Sequence, residues 1–264
     1  MEKDPLFKKE IEKLMSIIID QIAFIKKLRD VLKNYKDEER QQKYKIYIPN
    51  IGEHYGVPIP ILNIISKEIG KWGQKNPTIV LSLLQLMWQG SHEEKFIVTK
   101  SLEKIGKADF ENSLKFIESI IDDITTWDIC DTLASSGMKN IITSKPDEIL
   151  PLCEKWINNE KKWIRRFGVV SLIPLIRIFP KEYQIGDQEL KIVEKLMNDE
   201  EMDVKKGVAW ILREISKKDQ KLIYDFLLNH ATTKNKSTKW IINNAMRKLS
   251  ENLQNEISVI LNKK

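Results

Sequence analysis

The sequence is poor in the residues that build metal, disulfide and histidine sites. It holds two cysteines, three histidines and ten glycines in 264 residues. Cys130 and Cys153 have no paired spacing, so neither a disulfide framework nor a zinc site is indicated. The histidines do not cluster, and P-loop, GxGxxG, HExxH and GxSxG motifs are absent. We therefore expect no metal, no cofactor and no histidine-based catalysis.

The chain also lacks a long hydrophobic run. Its longest apolar stretches, residues 16–25 and 169–178, are interrupted or too short to cross a bilayer. Residues 1–12 are rich in charged side chains. They therefore do not resemble a signal peptide, which leads from a charged start into an apolar core. We therefore predict a cytoplasmic protein with no membrane partner.

Apolar residues recur at helical spacing through most of the sequence. No segment combines β-branched alternation with hairpin turn signals, so no sheet is expected. Short polar breaks divide the chain into helices of about 10 to 20 residues. Asn76, Ser91 and Asp109 each stand just ahead of such a helix, where their side chains can cap it. The sequence predicts an all-α fold.

The predicted helices group into pairs. Their period of roughly 35 to 45 residues is typical of HEAT-like repeats, which stack into a curved solenoid. No linker rich in Gly, Ser or Pro separates two domains. We predict a single HEAT-like α-α superhelix over residues 1–264, with residues 1–16 as an N-terminal extension. The pairs are 77–106, 109–144, 146–178, 187–217 and 219–250.

Positive charge is concentrated late in the chain. The net charge is +6 overall, but it is −5 in residues 100–160 and +8 in residues 161–264. No carboxylate occurs between Phe226 and Ser250. Such a stretch is a candidate contact for a phosphate backbone, although a solvated lysine-rich surface explains it equally well. Its cations are Lys234, Lys236, Lys239, Arg247 and Lys248.

Tryptophans share helix faces with charged residues in the second half of the sequence. Trp127 and Asp131 are four residues apart, and Trp163 and Arg166 are three apart, so each pair lies on one helix face. Trp210 lies on a further helix. Aromatic rings attract a cation, a carboxylate stabilises positive charge, and an arginine fork binds phosphate. This combination indicates a ligand that is both cationic and attached to a nucleic acid backbone.

Four segments resemble the AlkD-type DNA alkylation repair glycosylases. The resemblance covers about residues 20–250. It implies a HEAT-like superhelix that holds duplex DNA on its concave face. It also implies a monomeric enzyme of base excision repair that hydrolyses the N-glycosidic bond of N3- and N7-alkylated purines. The segments are residues 55–60 (Tyr-Gly-Val-Pro-Ile-Pro), 126–131, 162–169 and 203–214.

The resemblance assigns three catalytic residues. Trp127 and Trp210 correspond to the two aromatic residues beside the damaged nucleotide, and Asp131 corresponds to the catalytic carboxylate. An N-alkylated purine is positively charged and leaves readily, so no general acid is required. A carboxylate beside the sugar would stabilise the oxocarbenium ion that forms as the bond breaks.

The resemblance also assigns DNA contacts. Arg166 corresponds to an arginine at the DNA backbone, with neighbouring Arg165 as the alternative and Trp163 on the same helix face. Tyr47 falls where the family has a DNA-facing tyrosine. The chain departs from the family pattern at Thr126, where some relatives have tryptophan, and in a longer connection at residues 179–188.

Other interpretations remain open. A tryptophan on a helix is usually part of the core, which we expect for Trp72, Trp88, Trp156 and Trp240. The chain could also be a noncatalytic HEAT-like scaffold that binds DNA or protein. A carboxylate beside the aromatic rings favours the glycosylase, because a scaffold has no need of it.

Overall fold

The computed structural model describes residues 5–178 and 187–262. Within these ranges all regular secondary structure is helical, which confirms the all-α prediction. By their contacts the residues form two compact units, Met1–Ser144 and Lys145–Lys264. The single-domain organisation stays a prediction. No helix among the described residues is long and apolar enough to cross a membrane. The longer connection at 179–188 lies almost entirely outside the described residues.

The first unit is built from the α-helices α1 to α9. Its α-helices are α1 (Pro5–Met15), α2 (Gln21–Asn34), α3 (Glu38–Tyr47), α4 (Ile59–Gly73), α5 (Pro77–Trp88), α6 (His92–Ala108), α7 (Phe110–Ile120), α8 (Trp127–Thr132) and α9 (Lys139–Ser144).

The first helix of the second unit has a proline in its first turn. Its α-helices are α10 (Pro146–Ile157), α11 (Lys162–Val170), α12 (Ile173–Ile178), α13 (Asp187–Glu194), α14 (Met202–Ser216), α15 (Gln220–His230), α16 (Lys236–Ala245) and α17 (Glu251–Leu261). A 3-10 turn, Met246–Lys248, follows α16.

Alternate helices pack on one another within each unit. In the first unit α4 packs on α6 and α5 packs on α7, while in the second α14 packs on α16 and α15 packs on α17. Such packing between successive helix pairs is the pattern of stacked repeats. The predicted pairs 77–106 and 219–250 correspond to α5–α6 and α15–α16.

The helical spacing of apolar residues from Ile11 to Leu32 runs across two helices, α1 and α2. Residues 16–20 form turns between α1 and α2. The Asp20 side chain caps α2 by accepting a hydrogen bond from the backbone N–H of Ala23 at 3.1 Å. Ile18 stays buried within the turns, so the apolar spacing continues across the break and hides it in the sequence.

The predicted pair 109–144 contains a π-helical turn. After α8, residues Leu133–Gly137 form a π-helix, in which the N–H of Met138 donates to the carbonyl oxygen of Leu133 at 2.9 Å. A Cβ at Gly137 would lie 3.2 Å from the carbonyl oxygen of Thr99, so glycine allows this turn to approach α6 closely. The π-turn separates α8 from α9, and α8 is therefore a short helix that begins at Trp127.

Capping and core predictions are mostly confirmed. Ser91 forms a reciprocal capping box with Glu94, and Asp109 accepts a hydrogen bond from the N–H of Asn112. Asn76 makes no capping hydrogen bond, because its amide donates back to the carbonyl oxygen of Trp72 instead. Among the tryptophans expected in the core, Trp88 and Trp156 are buried, whereas Trp72 and Trp240 are half-buried. Cys130 and Cys153 are also buried.

Candidate functional site

Two predicted site residues of the first unit meet although they lie far apart in sequence. Trp127 is the first residue of α8, and its side chain remains 40% exposed. Its indole Nε1–H donates a hydrogen bond to the carbonyl oxygen of Tyr47, the last residue of α3, at 3.1 Å. Tyr47 is 69% exposed. The end of α3 therefore orients the Trp127 ring and leaves both aromatic side chains accessible to a ligand.

Asp131 lies one helical turn after Trp127. Residues four apart on a helix share one face, so the carboxylate and the indole are neighbours along α8. Asp131 is half-buried. Its carbonyl oxygen accepts a hydrogen bond from Ser135 Oγ at 2.6 Å, which ties the end of α8 to the π-turn. The π-turn thus supports the segment that carries the predicted catalytic carboxylate.

A histidine–aspartate pair adjoins this segment and was not predicted. His92 Nε2 lies 2.6 Å from Asp128 Oδ2, and both side chains are largely buried. Burial alone would raise the pKa of Asp128, but the hydrogen bond and charge of His92 outweigh it, so the Asp128 pKa lies below its usual value. Because an ionised carboxylate only accepts, the imidazole N–H is the donor. The pair fixes the first turn of α8 against the first turn of α6.

A cavity of about 450 Å³ lies beside Trp127 in the first unit. Its walls are mainly aromatic and aliphatic. Its ionisable carboxylates are Asp128, which is bonded to His92, and Glu93, which binds backbone amides. The lining residues are Tyr44, Tyr47, Ile48, Ile59, Leu62, His92, Glu93, Phe96, Trp127 and Asp128.

Glu93 holds the loop that carries the Tyr-Gly-Val-Pro segment. Its Oε1 accepts hydrogen bonds from the backbone N–H groups of Tyr55, Gly56 and Val57 at 2.9, 2.8 and 3.2 Å. Gly56 has a φ of +73°, and a Cβ there would lie 2.4 Å from the carbonyl oxygen of Asp37. Glycine is required by both the left-handed backbone and the close approach. The loop therefore fixes the start of α3 relative to α6.

In the second unit, Trp210 lies in a charged cluster on α14. Its Nε1–H donates to Glu214 Oε1 at 3.2 Å. The Arg177 guanidinium lies 5.5 Å from the centroid of the Trp210 ring and donates to Glu214 Oε2 at 3.1 Å. Lys217 Nζ also bonds to Glu214, at 2.7 Å. Trp210 thus already interacts with one cation, that of Arg177.

The Glu214 carboxylate is nearly buried at the centre of this cluster. Burial by itself would raise its pKa, but the hydrogen bonds and charges of Arg177 and Lys217 dominate and lower the Glu214 pKa to about 2. Glu214 therefore remains ionised at neutral pH. Its negative charge lies directly beside the indole N–H of Trp210.

The two predicted backbone-binding arginines make internal contacts. Arg166 is 5% exposed, and its Nη1 donates to the carbonyl oxygen of Asp203. Arg165 donates to both carboxylate oxygens of Asp199 and to two backbone carbonyl oxygens in the preceding loop. Trp163 is half-buried, with Lys162 Nζ 4.9 Å from its ring centroid. The assignment of these side chains to DNA stays a prediction.

The four predicted DNA-contacting cations of the 226–250 stretch have different surroundings. Lys234 and Lys236 are exposed in the turn before α16 and at its first residue. Lys239 is half-buried and donates to the carbonyl oxygen of Leu261 at 3.2 Å. Arg247 is exposed in the 3-10 turn and lines a pocket with residues of α14. Their contact with DNA also stays a prediction.

Comparisons with known proteins give a family and a fold. A family model described as DNA alkylation repair enzyme matches residues 28–249. AlkD2 from Streptococcus mutans superimposes with a TM-score of 0.56 at 20% identity, over 70% of this chain and 90% of that one. Smu.31 from Streptococcus mutans UA159 gives 0.53 at 18% identity, over 72% and 98%. At these identities the structural likeness supports the fold alone. The comparison with curated proteins finds no match.

Proposed function

Because the chain belongs to the DNA alkylation repair enzyme family, we propose that it is a DNA glycosylase for N3- and N7-alkylated purines in duplex DNA. The family assignment supports an enzyme that acts on DNA. The lesion class and the bond that is cleaved are the proposal; the resemblance to the AlkD-type glycosylases implies them, and the chemistry of the residues on α8 supports them.

The observation that carries the proposal is the arrangement of Trp127 and Asp131. A partly exposed indole, oriented by its hydrogen bond to Tyr47, lies one helical turn from a carboxylate. The electron-rich ring favours a cationic base by about 0.5 to 2 kcal/mol, depending on desolvation. The carboxylate favours the positive charge that develops on the sugar. The first preference selects an alkylated purine over a normal one, and the second lowers the barrier to breaking the bond.

The proposed reaction needs one hydrolytic step. An alkylated purine carries positive charge, so it departs as a neutral base when the N-glycosidic bond breaks. The electron pair of that bond goes to the base, and the sugar becomes an oxocarbenium ion. Asp131 stabilises this ion and orients a water molecule, which attacks the anomeric carbon and loses a proton. The products are a free alkylated purine and an abasic site.

Trp210 and the basic residues of the second unit complete the proposal. Trp210 is assigned as the second aromatic contact to the damaged nucleotide. Arg166, with Arg165 as the alternative, is assigned to the backbone. Phosphate contacts of this kind position a protein on DNA without reading its sequence.

Release of bases from methylated duplex DNA tests the proposal. The protein should release N7-methylguanine faster than spontaneous depurination, and it should leave a duplex containing O6-methylguanine intact, because that base carries no positive charge. Chromatography of the released bases measures both. Duplex binding without base release would identify the noncatalytic scaffold instead.

A further inference from the structure

The helix that ends at Tyr47 has no apolar core of its own. None of the ten residues of α3, Glu38–Tyr47, is buried. In proteins a helix usually gains most of its stability by burying an apolar face. Other contacts must therefore hold α3 in the place where the Tyr47 carbonyl oxygen meets the Trp127 indole.

The loop at residues 52–57 supplies such contacts at the start of α3. The backbone N–H of Asp37 donates to the carbonyl oxygen of Tyr55 at 3.2 Å. The Gln41 side-chain amide donates to the carbonyl oxygen of His54 at 2.6 Å. In return, Nε2 of the His54 ring lies 3.0 Å from the carbonyl oxygen of Gln41. The loop and α3 are therefore joined by reciprocal hydrogen bonds.

Both ring nitrogens of the buried His54 face carbonyl oxygens. Nδ1 lies 2.9 Å from the oxygen of Gly52, within the loop, and Nε2 faces that of Gln41, on α3. A neutral imidazole has one N–H and would leave one of these oxygens without a donor, whereas an imidazolium donates to both. His54 thus binds its own loop and α3 at the same time.

The loop is fixed in turn to the first turn of α6. The Glu93 carboxylate binds three of its backbone N–H groups. The backbone N–H of His92 donates to the carbonyl oxygen of Glu53 at 2.8 Å. The His92 side chain contacts Asp128 on α8. Two consecutive residues, His92 and Glu93, therefore connect the loop to α8.

These contacts form a closed circuit within the first unit, which we call the α3–α8 circuit. It contains two of the three histidines of the chain. Hydrogen bonds in a partly buried network reinforce one another, so loss of one connection weakens the others. The connections are His92–Asp128 between α6 and α8, Glu93 to the loop, His54–Gln41 between the loop and α3, and Tyr47–Trp127 between α3 and α8.

We propose that His54 and His92 are positioning residues that hold Tyr47 and Trp127 together as one preformed aromatic surface. His54 acts through α3, which ends at Tyr47. His92 acts through the first turn of α8, which begins at Trp127 and leads to Asp131. A displacement of about 1 Å in a catalytic group can slow a reaction about a hundredfold. The catalytic consequence rests on the proposed function, whereas the circuit itself does not.

Hydrogen exchange of the Trp127 indole tests the circuit directly. Its N–H signal in a ¹⁵N–¹H NMR spectrum is identified by its absence from Trp127→Phe. His92→Leu keeps a bulky side chain but removes the donor to Asp128, and the indole hydrogen should then exchange about tenfold faster or more. In His92→Gln an amide replaces the Nε2–H donor, so exchange should return to within about threefold of the original rate.

His54→Leu tests the other histidine of the circuit. It removes the ring donor to Gln41 on α3, and the Trp127 indole should exchange about fivefold faster or more. One control, His230→Gln, removes the third histidine, which lies in the second unit. A second control, Ile117→Val, shortens a buried side chain of α7 and destabilises the first unit without touching the circuit. Neither control should change the exchange of the Trp127 indole.

Equal exchange of the Trp127 indole in the unchanged protein and in either folded Leu variant overturns the inference. If His92→Leu fails to fold, His92→Asn takes its place. The Asn side chain remains polar but is too short to maintain the contact with Asp128. It should therefore accelerate exchange, whereas the longer Gln should not.

Base release tests the positioning role separately. His92→Leu should slow single-turnover release of N7-methylguanine about tenfold. Its Kd for duplex should stay within about twofold, because phosphate contacts dominate affinity. His92→Gln should restore most of the rate. Faster indole exchange together with an unchanged rate of release overturns the positioning role. If the unchanged protein releases no alkylated base, the proposed function fails, and indole exchange alone decides whether His54 and His92 hold Trp127.

Discussion

The indole N–H of Trp127 donates to the carbonyl oxygen of Tyr47 across 80 positions of sequence. This carbonyl lies at the end of α3, where the last helical carbonyls lack partners within the helix. The hydrogen bond therefore satisfies a helix terminus and orients an aromatic ring at once. It joins the segment with the predicted catalytic carboxylate to the segment with the predicted DNA-facing tyrosine.

Substitutions of Trp127 should distinguish the hydrogen bond that orients its indole from the attraction of its ring for a cationic base. Trp127→Phe keeps an aromatic ring but loses the donor to Tyr47, at a cost in stability of about 1 kcal/mol. Base release should slow severalfold in Trp127→Phe. It should slow further in Trp127→Ala, by up to about 30-fold if the full cation–π contribution is removed. Single-turnover rates and thermal melts give both quantities. Trp72→Phe, on α4, is the control and should react at the original rate.

Duplex affinity should fall steeply with salt. Each phosphate contact releases counterions, so log K should fall against log salt with a slope of about −0.9 per contact. The carboxylate-free stretch from Phe226 to Ser250 motivates this expectation. Titrations of undamaged duplex from low to physiological salt measure the slope. A flat binding constant would contradict phosphate contacts as the basis of binding.

Arg166→Ala should weaken binding to damaged and undamaged duplex alike, because a phosphate contact carries no lesion information. The structure indicates that this substitution also destabilises the folded protein. Arg166 is buried and donates to Asp203, so truncation leaves a carbonyl oxygen without that donor and should destabilise the protein by about 1 to 3 kcal/mol. Affinities should therefore be measured well below the melting temperature. If Arg166→Ala changes lesion preference without changing affinity, Arg165 becomes the candidate for the backbone contact.

Most helices could be predicted from the sequence because they bury an apolar face whose spacing is local, whereas α3 has no buried residue. The features that escaped prediction are set by contacts between helices. Ile18 continues the apolar spacing through the turns at 16–20, so that break gives no apolar signal. The π-turn at 133–137 depends on the approach of Gly137 to α6, which the local sequence does not specify.

The site residues also fall into those that local spacing indicates and those that depend on contacts between helices. The spacing of Trp127 and Asp131 on one helix face can be read locally. The pairing of His92 with Asp128 joins residues 36 positions apart, so three scattered histidines gave no hint of it. The inward contacts of Arg165 and Arg166 likewise depend on the loop and helix that follow α13. Side-chain direction at an arginine is decided by the packing of neighbouring helices rather than by the residue itself.

Glu214 should make folding stability depend on pH in the acid range. Its pKa is about 2 in the folded protein and close to 4.5 when unfolded. A lowered folded pKa stabilises the protein above the unfolded value, and this stability is lost as pH falls from about 5 to about 2. After allowance for solvent screening, the contribution at neutral pH is of the order of 1 to 3 kcal/mol. Glu214→Gln should melt at a lower temperature at pH 7 and lose less stability on acidification.

Denaturation of both proteins at pH 7, 5 and 3 measures this difference. Glu200→Gln, at a position before α14, is the control and should follow the unchanged protein. Parallel curves for Glu214→Gln and the unchanged protein would show that Arg177 and Lys217 do not lower the Glu214 pKa.

Asp131→Asn is the decisive substitution for catalysis. It keeps the size of the side chain and removes its negative charge, so α8 and its packing should be preserved. If the charge stabilises the sugar cation, the rate of N7-methylguanine release should fall roughly a hundredfold or more. DNA affinity should hold or rise slightly, because a carboxylate near phosphates is repulsive. Single-turnover release by both proteins, beside their thermal melts, measures the effect. Equal rates from equally folded proteins would remove Asp131 from the mechanism, and with it the main reason to prefer an enzyme over a scaffold.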